Sequence, residues 1–137
     1  MSMRREEEGM SRGIELKVGK GIMGPGMSGQ ITDVWAEVGG ARVTEVEEGR
    51  VFDIKAKYTA SWPDKPLIIV NWVVGISARG DGISIYDNTN MGNVTSKSGE
   101  MTIDNPSSPK MPAHNIALTI QIWGSGHSTD YYKPPWE

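Results

Sequence analysis

The chain of 137 residues contains no cysteine, and this absence excludes several classes of site at once. Without thiols there is no disulfide framework, no thiolate nucleophile and no cysteine-based metal centre. Basic residues are not in excess either, because 14 Lys and Arg stand against 17 Asp and Glu and give a formal net charge of −3. This balance gives no electrostatic basis for nucleic-acid binding. We therefore expect no nucleic-acid partner, no cofactor and no metal.

Long apolar runs are also lacking. The longest, Leu67–Ile76 (LIIVNWVVGI), is much shorter than the roughly 20 residues of a membrane-spanning helix. Near the start, Arg4 and Arg5 are followed by glutamates instead of the apolar segment of a signal peptide. We therefore expect no membrane insertion and no secretion signal, and assembly of the protein in the cytoplasm.

Alternating apolar and polar residues predict strands throughout the middle of the chain. Val51–Ala60 and Ile116–Trp123 alternate clearly, and Leu67–Ile76, rich in β-branched residues, is predicted to be a central strand covered on both faces. With 17 Gly and 8 Pro marking turns, the pattern predicts an all-β fold, an antiparallel sandwich of about seven to eight strands with irregular arms. The predicted core residues are Phe52, Ile54, Val70, Trp72, Val74, Leu118 and Ile120.

The same pattern divides the chain into three parts. Residues 1–29 are interpreted as an N-terminal arm that ends in a glycine-rich connector, although Ile14, Leu16 and Val18 within it give a short strand signal. Residues 30–124 are interpreted as the sandwich. Residues 125–137 form a tail rich in proline and aromatic residues, and its paired prolines cannot continue a ladder.

Three segments resemble the immunoglobulin-like modules of prokaryotic and viral surface proteins. Val46–Ile54 (VEEGRVFDI) is similar to the entry into their second strand, and Asp64–Val74 to their Trp-containing third strand. Met111–Thr119 (MPAHNIALT) is similar to the turn that leads into a late strand of some bacterial repeats. The resemblance implies an immunoglobulin-like sandwich; it concerns packing and turns more than a role, and it implies no ligand.

Residues that could carry catalysis are sparse. His127, Ser128 and Asp130 are close in sequence, but a glycine-flanked tail is a poor scaffold for a triad. A pair of oxygen-rich loops could hold a cation, although Asn and Asp are common turn residues; its members are Asp81, Asp87, Asn88, Asn90 and Asn93. We expect that the protein is not an enzyme and that these loops are turns.

Aromatic residues are the best candidates for binding. Trp35, Trp62 and Trp123 are expected on exposed faces or turns, unless the terminal arms fold back and cover them. The main hypothesis is a structural module that self-associates, or joins a larger protein lattice, through its arms: a virion protein (capsid decoration, spike or tail component) or a surface filament subunit, located on the particle surface. The alternative is a carbohydrate-binding module. The candidate interface residues are Trp35, Trp62, Trp123, Tyr131, Tyr132 and Trp136.

Overall fold

The computed structural model describes residues 10–67 and 71–127, and the regular structure in these ranges is entirely β-strand. Short turns, several with glycine at positive φ, connect the strands. The strands are β1 (Ser11–Val18), β2 (Ile22–Met23), β3 (Ser28–Val38), β4 (Ala41–Val43), β5 (Glu45–Glu47), β6 (Asp53–Ser61), β7 (Asn71–Gly80), β8 (Ile83–Asn90), β9 (Ser96–Ile103) and β10 (Ile116–His127).

The strands form two sheets. The first sheet has the order β5-β1-β10-β7-β8, and β2 also pairs with β10. The second sheet has the order β4-β3-β6-β9. Alternate residues of β6, β7 and β10 point between the sheets and form the centre of the core, with exposed fractions of 5% or less: Ile54, Ala56, Tyr58, Ala60, Trp72, Val74, Ile76, Ala78, Ile116, Leu118, Ile120 and Ile122.

The predicted all-β sandwich is confirmed, but its purely antiparallel character is wrong. Strands β1 and β2 run parallel to β10, so the first sheet is mixed. Parallel neighbours need a long connection, and here residues 19–115 separate β1 from β10. Alternation within a strand shows which side chains face the core, but it does not show the direction of a neighbour that is distant in sequence.

The sandwich has ten strands in the described residues, compared with the seven to eight expected. The additional strands are short, since β2, β4 and β5 have only two or three residues each. Part of the segment interpreted as an N-terminal arm, Ser11–Val18, forms β1 inside the first sheet, and β3 already begins at Ser28.

The strand predicted at Leu67–Ile76 agrees with the structure over Asn71–Ile76, which belong to β7 (Asn71–Gly80). Leu67 lies in the proline-rich turn instead and is 94% exposed, and residues 68–70 are outside the described ranges. Strand β7 ends at a tight turn in which Asp81 (φ 50°) and Gly82 (φ 83°) have the positive φ values of a type I′ hairpin.

Most of the predicted core residues are fully packed. Exposed fractions are 0% for Ile54, Trp72, Val74 and Ile120, and 1% for Phe52 and Leu118. Val70 lies outside the described residues.

Within the described ranges there is no helix with the length and apolar character needed to cross a membrane.

Candidate interaction surfaces

The expected exposure of three tryptophans is wrong. The exposed fractions are 8% for Trp35, 7% for Trp62 and 0% for Trp123. Tyr131 and Trp136, like Tyr132, lie outside the described residues. The three tryptophans that are described therefore do not form an exposed aromatic platform.

Trp35 is buried by charged side chains, although it lies on a solvent-facing side of the second sheet. The Arg42 guanidinium lies 3.9 Å from the centre of the indole ring, and the Lys57 ammonium lies 5.9 Å away. The indole N–H donates to the Glu37 carboxylate at 2.6 Å. Cations placed over the ring are attracted by its negative face. Arg42 and Lys57 therefore cover the aromatic face that the sequence pattern predicts to be exposed.

Trp62 and Trp123 are buried by packing. Trp62 meets Trp72 edge to face, with ring centroids 5.7 Å apart. Trp62 also lines a shallow groove of ≈ 470 Å³ at one end of the sandwich, together with Pro25, Met27 and Pro66. Trp123 lies flat over Gly75 of β7, where an added Cβ would be 2.0 Å from its ring.

The prediction that the oxygen-rich segments are turns is correct for Asp81 and Asn93 and wrong for Asp87, Asn88 and Asn90, which lie in β8. Two of these side chains accept hydrogen bonds from backbone N–H groups. Asp81 Oδ2 accepts the backbone N–H of Ala117, and Asn90 Oδ1 accepts that of Gly92. Asp81 and Asn90 flank opposite ends of β8, roughly 25–30 Å apart at about 3.3 Å per residue. Among the residues that the structure describes, no three His, Asp or Glu side chains are grouped to hold a metal ion.

Burial is the main perturbation of Asp87 in β8. Burial raises the pKa of this carboxyl above its ordinary value of 3.8, a backbone hydrogen bond at Asn88 lowers it, and the charge of Asp104 raises it. Burial also raises the pKa of Tyr58 above 10.0, and the charge of Asp87 raises it further. Asp87 is therefore a carboxylate that is less stable in the folded than in the unfolded chain.

Replacing Asp87 with asparagine is expected to stabilise the protein at neutral pH. The folded state holds the Asp87 proton more tightly than the unfolded state, so this residue's contribution to stability falls as the pH rises from 3.8 through the raised pKa. Urea unfolding at a series of pH values should show a higher free energy of unfolding for Asp87→Asn than for the wild type at pH 7. This difference should disappear at low pH. The pKa of Tyr58, followed by ultraviolet absorbance, should fall in the variant. An unchanged pH profile of stability would contradict the assignment.

Apolar side chains are only partly buried on one side of the sandwich. Neither sheet continues there: β5 covers β1 only at Ser11–Gly13, and β4 covers β3 only at Ala36–Val38. We call this face the open side; its partly buried apolar residues are Ile14, Leu16, Ile31, Val34, Val38 and Val43.

On the open side, the backbone groups of Leu16 and Val18 in β1 have no hydrogen-bond partner among the residues that the structure describes. Gly19 N–H donates to Ile120 O of β10 at 2.8 Å, whereas Ile14 N–H donates to Thr44 O on the other side at 3.0 Å. Because this direction alternates along a strand, Leu16 and Val18 direct their N–H and C=O groups away from β10, past the end of β5. Val18 is 53% exposed.

A cleft of ≈ 630 Å³ lies between the two sheets beside this edge. Its walls are mainly apolar, with Ile14 and Leu16 from the first sheet and Val34 and Val43 from the second. Its charged lining residues are Arg42 and Glu45. The combination of apolar walls and a free strand edge suits an extended polypeptide.

The opposite edge of the first sheet is closed at its centre. Tyr86 N–H of β8 donates to Asn105 O at 3.0 Å, and Asn105 N–H donates to Tyr86 O at 2.9 Å. Asn105 therefore occupies the backbone groups that an additional strand would need.

Sequence reasoning missed the open side. Alternation of Ile14, Leu16 and Val18 with Glu15 and Lys17 indicated a strand, but no local signal showed that its outer edge is unpaired. That property depends on where β5 ends, which is a tertiary feature.

Comparisons with protein-family models, curated proteins and solved structures found no significant match to this chain. The function is therefore inferred from the surfaces described above.

Proposed function

We propose that the protein is a non-enzymatic structural module that assembles with copies of itself or into a larger protein lattice. The observation that carries this proposal is the open side, where no described residue pairs with the backbone of Leu16 and Val18, beside partly buried apolar side chains. An unpaired strand edge is a template for pairing with another chain. Strand addition of this kind gives affinity through main-chain hydrogen bonds and specificity through side-chain pockets.

The proposed class is a virion structural protein (capsid decoration, spike or tail component) or a surface filament subunit, built on an immunoglobulin-like sandwich. Two features support it. The cysteine-free composition suits a particle that assembles in a reducing compartment. The Val46–Ile54 and Met111–Thr119 segments carry the resemblance to surface modules. We place the mature protein on the particle surface.

Carbohydrate binding, the alternative from the sequence, gains no support from the geometry. A sugar platform needs an exposed aromatic face, and Trp35, Trp62 and Trp123 are all less than a tenth exposed.

Replacing Val18 with proline tests the proposal. Proline removes the N–H of Val18, which points away from β10, and edge strands tolerate proline at such positions. The matched control is Val18→Thr, which keeps the N–H. We expect light scattering to show that the mass of the wild type and of Val18→Thr increases with concentration, and that this increase is reduced in Val18→Pro.

Circular dichroism should show that both variants remain folded. A wild-type chain that stays monomeric at all concentrations and binds no particle would refute the proposed assembly.

A further inference from the structure

We propose that β1 is an exchangeable strand, which leaves its own sandwich and occupies the same position in a second copy of the chain. This inference rests on the proposed assembly function: the partner is a second copy of the chain, and the contact is the exchanged β1 strand. It starts from the place of β1 in the first sheet, between β10 and β5.

The position of β1 is a slot with a defined shape. On the β10 side, Ile116, Leu118 and Ile120 are 3%, 1% and 0% exposed, and they are the registered neighbours of Ile14, Leu16 and Val18. Without β1, the backbone groups along this part of β10 would have no partner on that side. The slot therefore requires a strand in every copy, and the sequence that fits it is that of β1.

The contacts at the entrance of the slot are also specific. Arg12 Nη2 lies 3.1 Å from Glu48 Oε1, and Gly13 N–H donates to Asn115 Oδ1 at 2.8 Å. Both contacts join β1 to parts of the chain that stay with the body of the sandwich. A β1 strand from a second copy would make the same ion pair and the same hydrogen bond.

The chain that links β1 to the body allows the exchange. Gly19-Lys20-Gly21 separates β1 from β2, and β2 is held independently by its own pairing with Trp123 and Gly124. Glycine has the widest backbone freedom of any residue. Once Gly19 N–H releases Ile120 O and Lys20 O releases Gln121 Nε2, this short stretch can redirect β1 while β2 stays in place.

The exchanged strand has the same sequence as the strand that it replaces. Exchange of an identical element between copies preserves its contacts, and it is a low-cost route to oligomers. The free-energy costs that remain are the loss of translational freedom when two copies associate and the rearrangement of Gly19–Gly21. Strand and slot are different surfaces, so each copy donates one strand and accepts one, either reciprocally or in an open series.

The absence of native cysteine makes the exchange directly measurable. Lys17 and Thr119 are registered neighbours across β1 and β10, and both are exposed. Neighbouring strands lie within the distance that a disulfide spans. The test uses the full chain as Lys17→Cys/Thr119→Cys, with Lys57→Cys/Glu100→Cys, a registered pair across β6 and β9, as the matched control.

If β1 exchanges, oxidation of the concentrated Lys17→Cys/Thr119→Cys protein gives disulfide-linked dimers and larger species on non-reducing gels. An equimolar mixture of the two single variants gives a linked heterodimer. The control pair forms only internal disulfides. Linked species that are absent in both the double variant and the mixture would overturn the exchange.

A second measurement distinguishes an absence of β1 exchange from an absence of assembly. Oxidation of the dilute double variant locks β1 in its own chain. The locked protein keeps the β1 edge, so at high concentration it should still form pairs but no larger species. A locked protein that assembles like the wild type overturns the exchange and leaves the assembly function standing. A reduced wild-type chain that never assembles refutes both.

Discussion

Replacing Trp72 with alanine is expected to lower the free energy of unfolding by about 3–5 kcal/mol. Trp72 is 0% exposed and packs edge to face against Trp62, with the ring planes at 69°. Its indole N–H donates to Val94 O at 2.8 Å. The substitution removes the ring, leaves a cavity between the sheets and deprives that carbonyl of its partner.

Urea unfolding followed by far-ultraviolet circular dichroism measures this loss. Trp72→Phe is the matched control, because it keeps an aromatic ring and removes the hydrogen bond, and it should cost less than the alanine substitution. A loss of less than about 1 kcal/mol for Trp72→Ala would show that this side chain is not central to the core.

Replacing Gly75 with alanine is expected to destabilise the protein by about 1–3 kcal/mol or more, through overpacking. An added Cβ would stand 2.0 Å from Cζ2 and 2.2 Å from Cε2 of Trp123. Trp123 is 0% exposed, so its ring cannot move away without displacing its surroundings. The clash lies at the registered pair Gly75 and Trp123, in the middle of the pairing between β7 and β10.

Two further variants test this explanation. Gly13→Ala is the control, since an added Cβ there would lie at an ordinary contact distance of 3.6 Å from Asn115 Oδ1. In Gly75→Ala/Trp123→Ala, the new methyl group enters the space that the ring has left. The double variant should therefore be less destabilised than the sum of the single changes. Strict additivity would contradict the proposed clash.

The central strands could be predicted because their signals are local. Phe52, Ile54, Leu118 and Ile120 alternate with polar residues, and this period fixes which side chains enter the core. The boundary between the turn and β7 could not be predicted, because the apolar run is continuous across Leu67–Val74 and composition does not show that Leu67 still belongs to the turn.

The surroundings of the tryptophans could not be predicted, because they depend on residues that are distant in sequence or on adjacent strands. Trp35 alternates with Asp33 and Glu37 and so was expected to be exposed, and it does face outward. Its burial comes from Arg42 and Lys57, which reach the ring only once β3, β4 and β6 are paired. Trp123 is buried against Gly75 for the same kind of reason, since that glycine gives it room only when β7 and β10 are in register.

The two edges of the first sheet differ in whether they can pair with a further strand. Asn105 closes the middle of β8, while no residue in the described ranges pairs with Leu16 and Val18 at the β1 edge. A subunit of this kind can extend its first sheet at one lateral edge only. Two subunits that join by that edge would leave their closed β8 edges outermost, so growth of this sheet would stop at a pair. Longer polymers would then require a different connection between subunits, and the exchange of β1 would supply one.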